Sequence, residues 1–342
     1  MKPHLTSLND IAKALGVSAS TVSRALKDHP DISIATRNKV KAFAEKVNYR
    51  PNALALSLKL QTSNTIGIII PEIVHHFFSS IISGIEDIAY SRGYRVMICQ
   101  SNEDFRREEI NVQALLDHRV DGLLVCISKS TSSFNHLKTA YNSQVPIVFL
   151  DRVCTEIEAD RVITDDFNGA RMITYHLIEK GCRNILHLGT MPQLLIGQDR
   201  QQGYLQALKD YNIKQDPSLQ IKCDTPTEVI ANKALILNLA SRLDGIFAVN
   251  DLTAIAVMNL LKEEGYRIPE DIAIAGFGDD PIASIVDPPL TTVEQKGYQM
   301  GQEAMKILMD RLISTESPLA PEIKTFQVEL KPRKSTQTPI QR

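Results

Sequence analysis

Apolar positions follow two different rhythms along this chain. Up to about residue 50 they recur at helical spacing: Leu8, Ile11, Ala12 and Leu15, then Val22, Ala25 and Leu26, then Val40, Phe43, Ala44 and Val47. Ser7 and Ser18 stand where the first two helices need N-caps, because a serine oxygen can accept an otherwise unpaired first-turn N–H. Gly16, between them, permits a sharp turn at little steric cost. Two short helices about a tight turn, with a third over about 34–47, are predicted. From residue 65 onward, apolar runs of strand length (65–70, 95–100, 122–127, 146–151, 184–189, 245–250 and 271–276) alternate with amphipathic stretches at 78–92, 168–179, 202–211 and 253–264. Strands that are apolar throughout and separated by helices predict parallel sheets covered on both faces. That many strands exceed one compact sheet, so the expected architecture is a small all-α helix-turn-helix domain joined to an α/β body of two Rossmann-like lobes.

Composition narrows the functional classes. The 342 residues are 43% hydrophobic and 23% charged, ordinary for a globular protein of two or three domains. No apolar run approaches the roughly 18 residues that span a bilayer. The polar start of the chain lacks a signal-peptide core, which predicts a cytoplasmic location and no membrane partner. The five cysteines are scattered without zinc-ligand spacing, so no metal is expected and the thiols read as small hydrophobes. Net charge is −2, yet residues 1–60 hold ten Lys/Arg against four Asp/Glu, a net +6 that leaves −8 for the rest. A basic unit on an acidic body points to a polyanion at the first sixty residues, or else to a solvated basic face.

The second predicted helix has chemistry suited to duplex DNA. Ser18, Ala19, Ser20, Thr21, Ser23 and Arg24 fall on its cap and early outward side. Small and hydrogen-bonding side chains fit a major groove, and arginine can bond a guanine edge bidentately. A plain three-helix bundle is the competing reading. In the body, polar or aromatic groups follow several strands: Phe77 and Phe78, Asp151 and Arg152, Asp165 and Asp166, Asn250 and Asp251, Asp279 and Asp280. Each acidic pair alone reads as a helix cap, whereas five such ends converging would make a cleft, since open α/β sheets bind ligands at the carboxyl ends of their strands. His75 and His76 read as loop residues or a pocket rim. No GxGxxG after a strand, phosphate loop or GxSxG elbow occurs, so neither an enzyme nor a cofactor is expected.

The runs NDIAKALGVSASTVSRAL and NYRPNALALSLK resemble the headpiece and hinge of the LacI/GalR repressor family. GYRVMICQSNED, VDGLLV, PIVFLDR, RQQGYLQAL, IFAVND, IPEDIAIAGF and DPPLTTV extend that resemblance over the body, which is similar to the periplasmic-binding-protein type I fold. The resemblance implies a hinge helix ordered on operator DNA, with Asn52, Ala55, Leu58 and Lys59 at the duplex and Leu58 as a wedge in the minor groove. It also implies an inter-lobe effector site, with Phe77 and Phe78 on its floor and Arg200, Asn250, Asp251, Asp165 and Asp279 as polar ligands. Two departures concern the effector. Gly278 stands where the family commonly has aspartate, and no aromatic residue lies near Thr225. Leu56 replaces a usual arginine in the hinge.

The expected organisation is a DNA-binding domain at 1–50, hinge and linker at 51–63, a two-lobed effector and dimerisation domain at 64–332, and a disordered tail at 333–342. The expected function is a homodimeric regulator, of repressor type, that binds pseudo-palindromic double-stranded operator DNA. A small molecule of carbohydrate type controls it. The alternative is a cytoplasmic sugar-binding receptor with no DNA role.

Overall fold

The computed structural model describes residues 7–49, 62–314 and 320–337. The chain divides into two compact units at Ser63/Asn64. The hinge residues Asn52, Ala55, Leu58 and Lys59 lie outside the described residues.

In the first unit, α1 (Leu8–Leu15), α2 (Ala19–Leu26) and α3 (Ile34–Lys46) enclose a core of Ile11, Ala12, Val22, Ala25, Val40 and Ala44. Local chemistry fixes where each helix begins. Ser7 and Asp10 cap α1 reciprocally: Asp10 N donates to Ser7 Oγ (3.2 Å) and Ser7 N to Asp10 Oδ2 (2.8 Å). Gly16 ends α1 in the left-handed region (φ 66°), where its N–H reaches the carbonyls of Ala12 and Lys13. Between α2 and α3, Lys41 Nζ meets the Asp28 carboxylate at 2.7 Å.

The second unit opens with β1 (Thr65–Ile70), α4 (His76–Ser91), β2 (Arg95–Gln100), α5 (Phe105–Asp117), β3 (Gly122–Val125), α6 (Asn135–Asn142), β4 (Ile147–Leu150) and β5 (Asp160–Thr164). It continues with α7 (Asp166–Glu179), β6 (Ile185–Gly189), α8 (Leu195–Asp210), β7 (Gln220–Lys222), α9 (Pro226–Ala231), α10 (Lys233–Ala240), β8 (Gly245–Ala248), α11 (Asp251–Glu263) and β9 (Ala273–Ala275). The last elements are β10 (Thr292–Glu294), α12 (Gly297–Ile313), β11 (Ile323–Phe326) and β12 (Glu329–Lys331). One parallel sheet runs β2-β1-β3-β4-β5-β11 and a second runs β7-β6-β8-β9. β10 and β12 pair antiparallel beside the second. The interior strand β1 has Ile66, Ile68, Ile69 and Ile70 with no exposed surface, as a strand covered on both faces requires. Because β5 and β11 belong to the first sheet, while α7 and β12 pack in the second lobe and β10 precedes α12, the chain passes between lobes three times. Those passages fix the two sets of strand ends opposite each other.

Two glycines set the tightest helix contact in the first lobe. A Cβ on Gly84 of α4 would lie 2.1 Å from the Tyr298 carbonyl oxygen of α12, and one on Gly301 would lie 2.1 Å from that of Ile81.

Several elements escape the apolar pattern. β7, β10 and β12 are three residues each, and β5 carries Asp160 and Arg161, so neither length nor hydropathy marks them. The expected disordered tail at 333–342 is corrected for residues 333–337. Arg333 N donates to Thr291 Oγ1 (2.8 Å), and Ser335 Oγ accepts from Thr291 N (2.8 Å) and donates to the Ile274 carbonyl (2.6 Å). Thr336 Oγ1 bonds His176 Nε2 at 2.7 Å. The two prolines of residues 331–342 and the lack of a heptad suggested a disordered tail, but every hydroxyl at 333–337 has a buried partner, which is how a polar segment is held in a protein interior. Residues 338–342 lie outside the described residues. Among the described residues, no helix is long and apolar enough to cross a membrane.

Replacing Gly84 or Gly301 by alanine should destabilise the second unit by about 1–3 kcal/mol, because backbone atoms must move to admit the methyl. Urea unfolding of the full chain checks this, and an unchanged midpoint for both variants would contradict the close approach.

Candidate functional site

On α2 the exposed face is assembled by the cap. Ser18 Oγ accepts from Thr21 N (3.0 Å) and shares hydrogen bonds with Ser20 Oγ (2.7 Å) and Thr21 Oγ1 (2.8 Å). Val22 and Ala25 turn into the core, which leaves Ser20 and Arg24 exposed one helical turn apart, with Ala19, Thr21 and Ser23 half-buried beside them. Exposed Lys27 follows Arg24 on the same side.

The body holds a cavity of about 240 Å³ between the carboxyl ends of the two sheets. Phe77 and Phe78, at the start of α4, form one wall, with ring centroids 5.4 Å apart. Arg152, after β4, lies 5.8 Å over the Phe78 ring, and its Nη1 donates to both oxygens of Glu103 at 2.8 and 2.9 Å. Opposite, Arg200 of α8 is buried and lies 3.9 Å over Phe277. Its Nε donates to Asp166 Oδ1 (2.7 Å) and its Nη1 to the Val249 carbonyl (2.6 Å). Asn250 caps α11 by accepting from Thr253 N (2.9 Å), and its Nδ2 donates to the Asp224 carbonyl (2.8 Å). Lys129 of the first lobe and Asp224 of the second join across the space at 2.7 Å, and Thr190 Oγ1 also donates to Asp224.

Asp251 lies under the cavity, where it accepts from Thr292 Oγ1 (2.5 Å) and Asp280 N (2.7 Å). Burial, opposed by those two bonds and reinforced by nearby Asp279 and Asp280, pushes its carboxyl up to about 7. Burial likewise raises Asp166 to about 7 against the pull of Arg200, and raises Asp151.

Of the residues expected at the effector site, Phe77, Phe78, Arg200, Asn250 and Asp251 line this cavity. Asp165 does not. It caps α7 by accepting from Asn168 N (3.2 Å), and the neighbouring Asp166 supplies the carboxylate that Arg200 needs. Asp279 is also outside the lining: its Oδ1 accepts from Arg333 Nη2 at 2.6 Å, so it anchors the segment around Arg333. Gly278 lines the cavity at φ 132°, a backbone conformation that L side chains rarely adopt; a Cβ there would stand in ordinary contact, 3.6 Å from Asp251 Oδ2, so backbone strain and not lack of space disfavours an aspartate. Lys129, Glu103, Asp224, Phe277 and Gln295 were not expected. They meet only through pairings far apart in sequence, which no local pattern reveals. Asp151 and Arg152 were legible as a polar strand end. His75 stands on the cavity wall, bonded to Glu72 at 2.8 Å. Among the described residues, no group of three His, Cys, Asp or Glu is arranged to hold a metal.

Residues 7–52 match the family of bacterial regulatory proteins, lacI family, and residues 174–336 match the periplasmic binding protein-like domain. The HTH-type transcriptional repressor PurR of Vibrio atlanticus (strain LGP32) is 32% identical over 312 residues, 90% of this chain and 92% of that protein. Among solved structures, the lac repressor dimer bound to operator and the anti-inducer ONPF aligns with a TM-score of 0.82 at 25% identity, covering 97% of this chain and 99% of that one. The transcriptional regulator CelR in complex with cellobiose gives 0.73 at 27% identity, over 96% and 99% of the two chains. A ribose-bound regulator from Enterococcus faecium gives 0.72 at 30% identity, over 81% and 100%.

Removing the Arg200 side chain should cost about 3–5 kcal/mol of stability, since Asp166 would be left buried without its cation. Loss of effector response in Arg200→Ala therefore needs a parallel unfolding curve, and an undiminished stability would contradict the buried pair. For Asp251, a folded value of about 7 lies above the free-aspartate value of about 3.9. The native state then holds the proton more tightly, so this group's contribution to stability is present at low pH and is lost as pH rises from about 4 to about 7. The stability advantage of the parent over Asp251→Asn should shrink across that window in urea unfolding at stepped pH. A gap that stays constant would refute the raised value.

Proposed function

This chain belongs to the lacI family of bacterial regulatory proteins and is a DNA-binding transcriptional regulator, and we propose that it represses from a pseudo-palindromic operator under control of a carbohydrate-like effector held between the lobes. The α2 face carries the base readout, with Arg24 on a guanine edge and Ser18, Ala19, Ser20, Thr21 and Ser23 around it. Asn52, Ala55, Leu58 and Lys59 make the hinge contacts. The effector ligands are Phe77, Phe78, Arg200, Asn250 and Asp251, joined by Asp151 and Arg152. The observation that carries this reading is the combination, on one chain, of an exposed Ser20–Arg24 helix face with a buried cavity of arginines, amides and phenylalanines. Polar groups that fix orientation against aromatic walls are the usual make-up of a small-molecule site. The bound cellobiose and ribose of two structural neighbours support the carbohydrate class.

The working assembly is a homodimer in the cytoplasm. One recognition helix reads too few base pairs to find a site, so two-fold symmetry doubles the readout. The dimeric, operator-bound neighbour supports this. Val74 and Tyr90 in the first lobe and Ile285 in the second are large apolar side chains about 80% exposed, candidates for cover by a second copy. Effector binding shifts operator affinity only as far as the ligand discriminates between two arrangements of the lobes.

Operator selected from random duplexes should bind the full chain with affinity that falls steeply as salt rises, because phosphate contacts release counterions. Arg24→Ala should cost about 1–3 kcal/mol on that operator and relax selectivity at one position. Fluorescence anisotropy measures both. Salt-independent binding, or an equal loss on random DNA, would sink the base-reading assignment.

A further inference from the structure

The charges facing the cavity are unevenly engaged. Its three lysine and arginine residues each have a carboxylate partner: Lys129 with Asp224 (2.7 Å), Arg152 with Glu103 (2.8 Å) and Arg200 with Asp166 (2.7 Å). The two guanidinium groups are also laid on phenylalanine rings, and Arg200 gives a further bond to the Val249 carbonyl. Turning Lys129 or Arg200 toward an incoming anion would strand a buried carboxylate, Asp224 or Asp166, which is costly, and turning Arg152 would leave the half-buried Glu103 without its partner. Asp151, Asp251 and Asp280 face the same space, and none of them is in an ion pair among the described residues. The lining therefore holds more carboxyl groups than cations before any ligand enters.

The N-terminus of α11, a natural anion cradle, is occupied as well. Asp251 fills its first turn and Asn250 its cap. The polar capacity left open is of another kind. Asp151 Oδ1, Arg152 Nε and Gln295 Nε2 are buried and make no hydrogen bond of acceptable geometry, although Gln295 neighbours Asp151 closely enough to favour its ionised form. Two single donors and one acceptor complement hydroxyl or amide groups. They do not form the converging arginine forks that recognise phosphate or carboxylate. Burial has already pushed the carboxyls of Asp151 and Asp251 upward, with Glu103 adding to the first and Asp279 and Asp280 to the second, so a ligand dianion would work against the same repulsion.

We propose that this cleft selects an uncharged, polyhydroxylated effector and rejects its phosphorylated or carboxylated counterpart, with the Glu103–Arg152 and Asp224–Lys129 pairs as the discriminating elements. The proposal rests on the reading of the cleft as the effector site. At about 240 Å³ the cavity falls just below the ~300–1,000 Å³ range of small-molecule sites, which favours a compact ligand.

The test uses the full chain and a deproteinised bacterial metabolite extract separated on an anion-exchange resin at neutral pH. Thermal unfolding reports binding, because a ligand that prefers the folded state raises the midpoint by mass action. Hydrogen exchange of segments spanning 150–153 and 293–297 reports where binding occurs. The unretained, uncharged fraction should raise the midpoint and slow exchange in both segments, while the retained fraction at matched dilution has at least tenfold weaker effect. Ribose should likewise outcompete ribose 5-phosphate for any protection at those segments. If the retained fraction gives the stronger effect with the same segments protected, the charge selection is wrong and the effector site stands. If the active fraction protects other segments, or neither fraction acts, the effector-site reading falls and the charge selection with it.

Discussion

A parallel sheet buried on both faces can display polar chemistry only at its ends, and that constraint organises the body of this protein. Ile66, Ile68 and Ile70 on β1, and Leu186, Leu188 and Ile246 in the second lobe, leave no room for a charged side chain on those interior strands. The groups able to address a ligand therefore lie in the loops that follow the strands and on the first turns of the helices that those loops lead into. The three passages between lobes then face the two sets of loops toward each other. The result is one cavity in which Arg152 and Arg200, each backed by a carboxylate and a phenylalanine ring, look at each other's lobe.

Placing that much charge in a confined space is tolerable because each cation of the lining has a carboxylate partner and Asp251 accepts two hydrogen bonds. Asn250 is a helix cap and a donor to Asp224 at once, so a residue expected to hold the ligand also holds the second lobe together. Arg200 has the same double duty. Such sites tie ligand recognition to lobe geometry: a ligand that competes for Lys129 or Asp224 also competes with the bond that joins the two halves of the cleft. A two-state regulator needs this kind of dependence, since an effector acts only through contacts that differ between states.

The DNA-facing unit works by a simpler rule. Its core is small, and the cap at Ser18 with the turn at Gly16 orients α2 with Val22 and Ala25 inward. Outward placement of Ser20 and Arg24 follows from helical periodicity alone. This face was legible in the sequence for that reason, as were β1 and β2, whose boundaries agree with the apolar runs because Asn64 and Pro71 bound the first while Gly93-Tyr94 and Ser101 bound the second.

Local order was thus written in the chain: helix caps, the 3.6-residue rhythm of the first unit, the alternation of apolar strands and helices, and aromatic or polar residues at strand ends. Which of those end groups converge was not. Asp165 and Asp166 are adjacent and chemically identical, yet one caps α7 and the other pairs with Arg200, a choice made by helix rotation and by a residue 34 positions away. Asp279 faces Arg333 instead of the cavity because residues 333–336 lie against β9 and the loop before β10. Caps and periodicity depend on neighbours within a few residues, whereas charge pairing inside a cleft depends on distances that exist only after the sheets have packed.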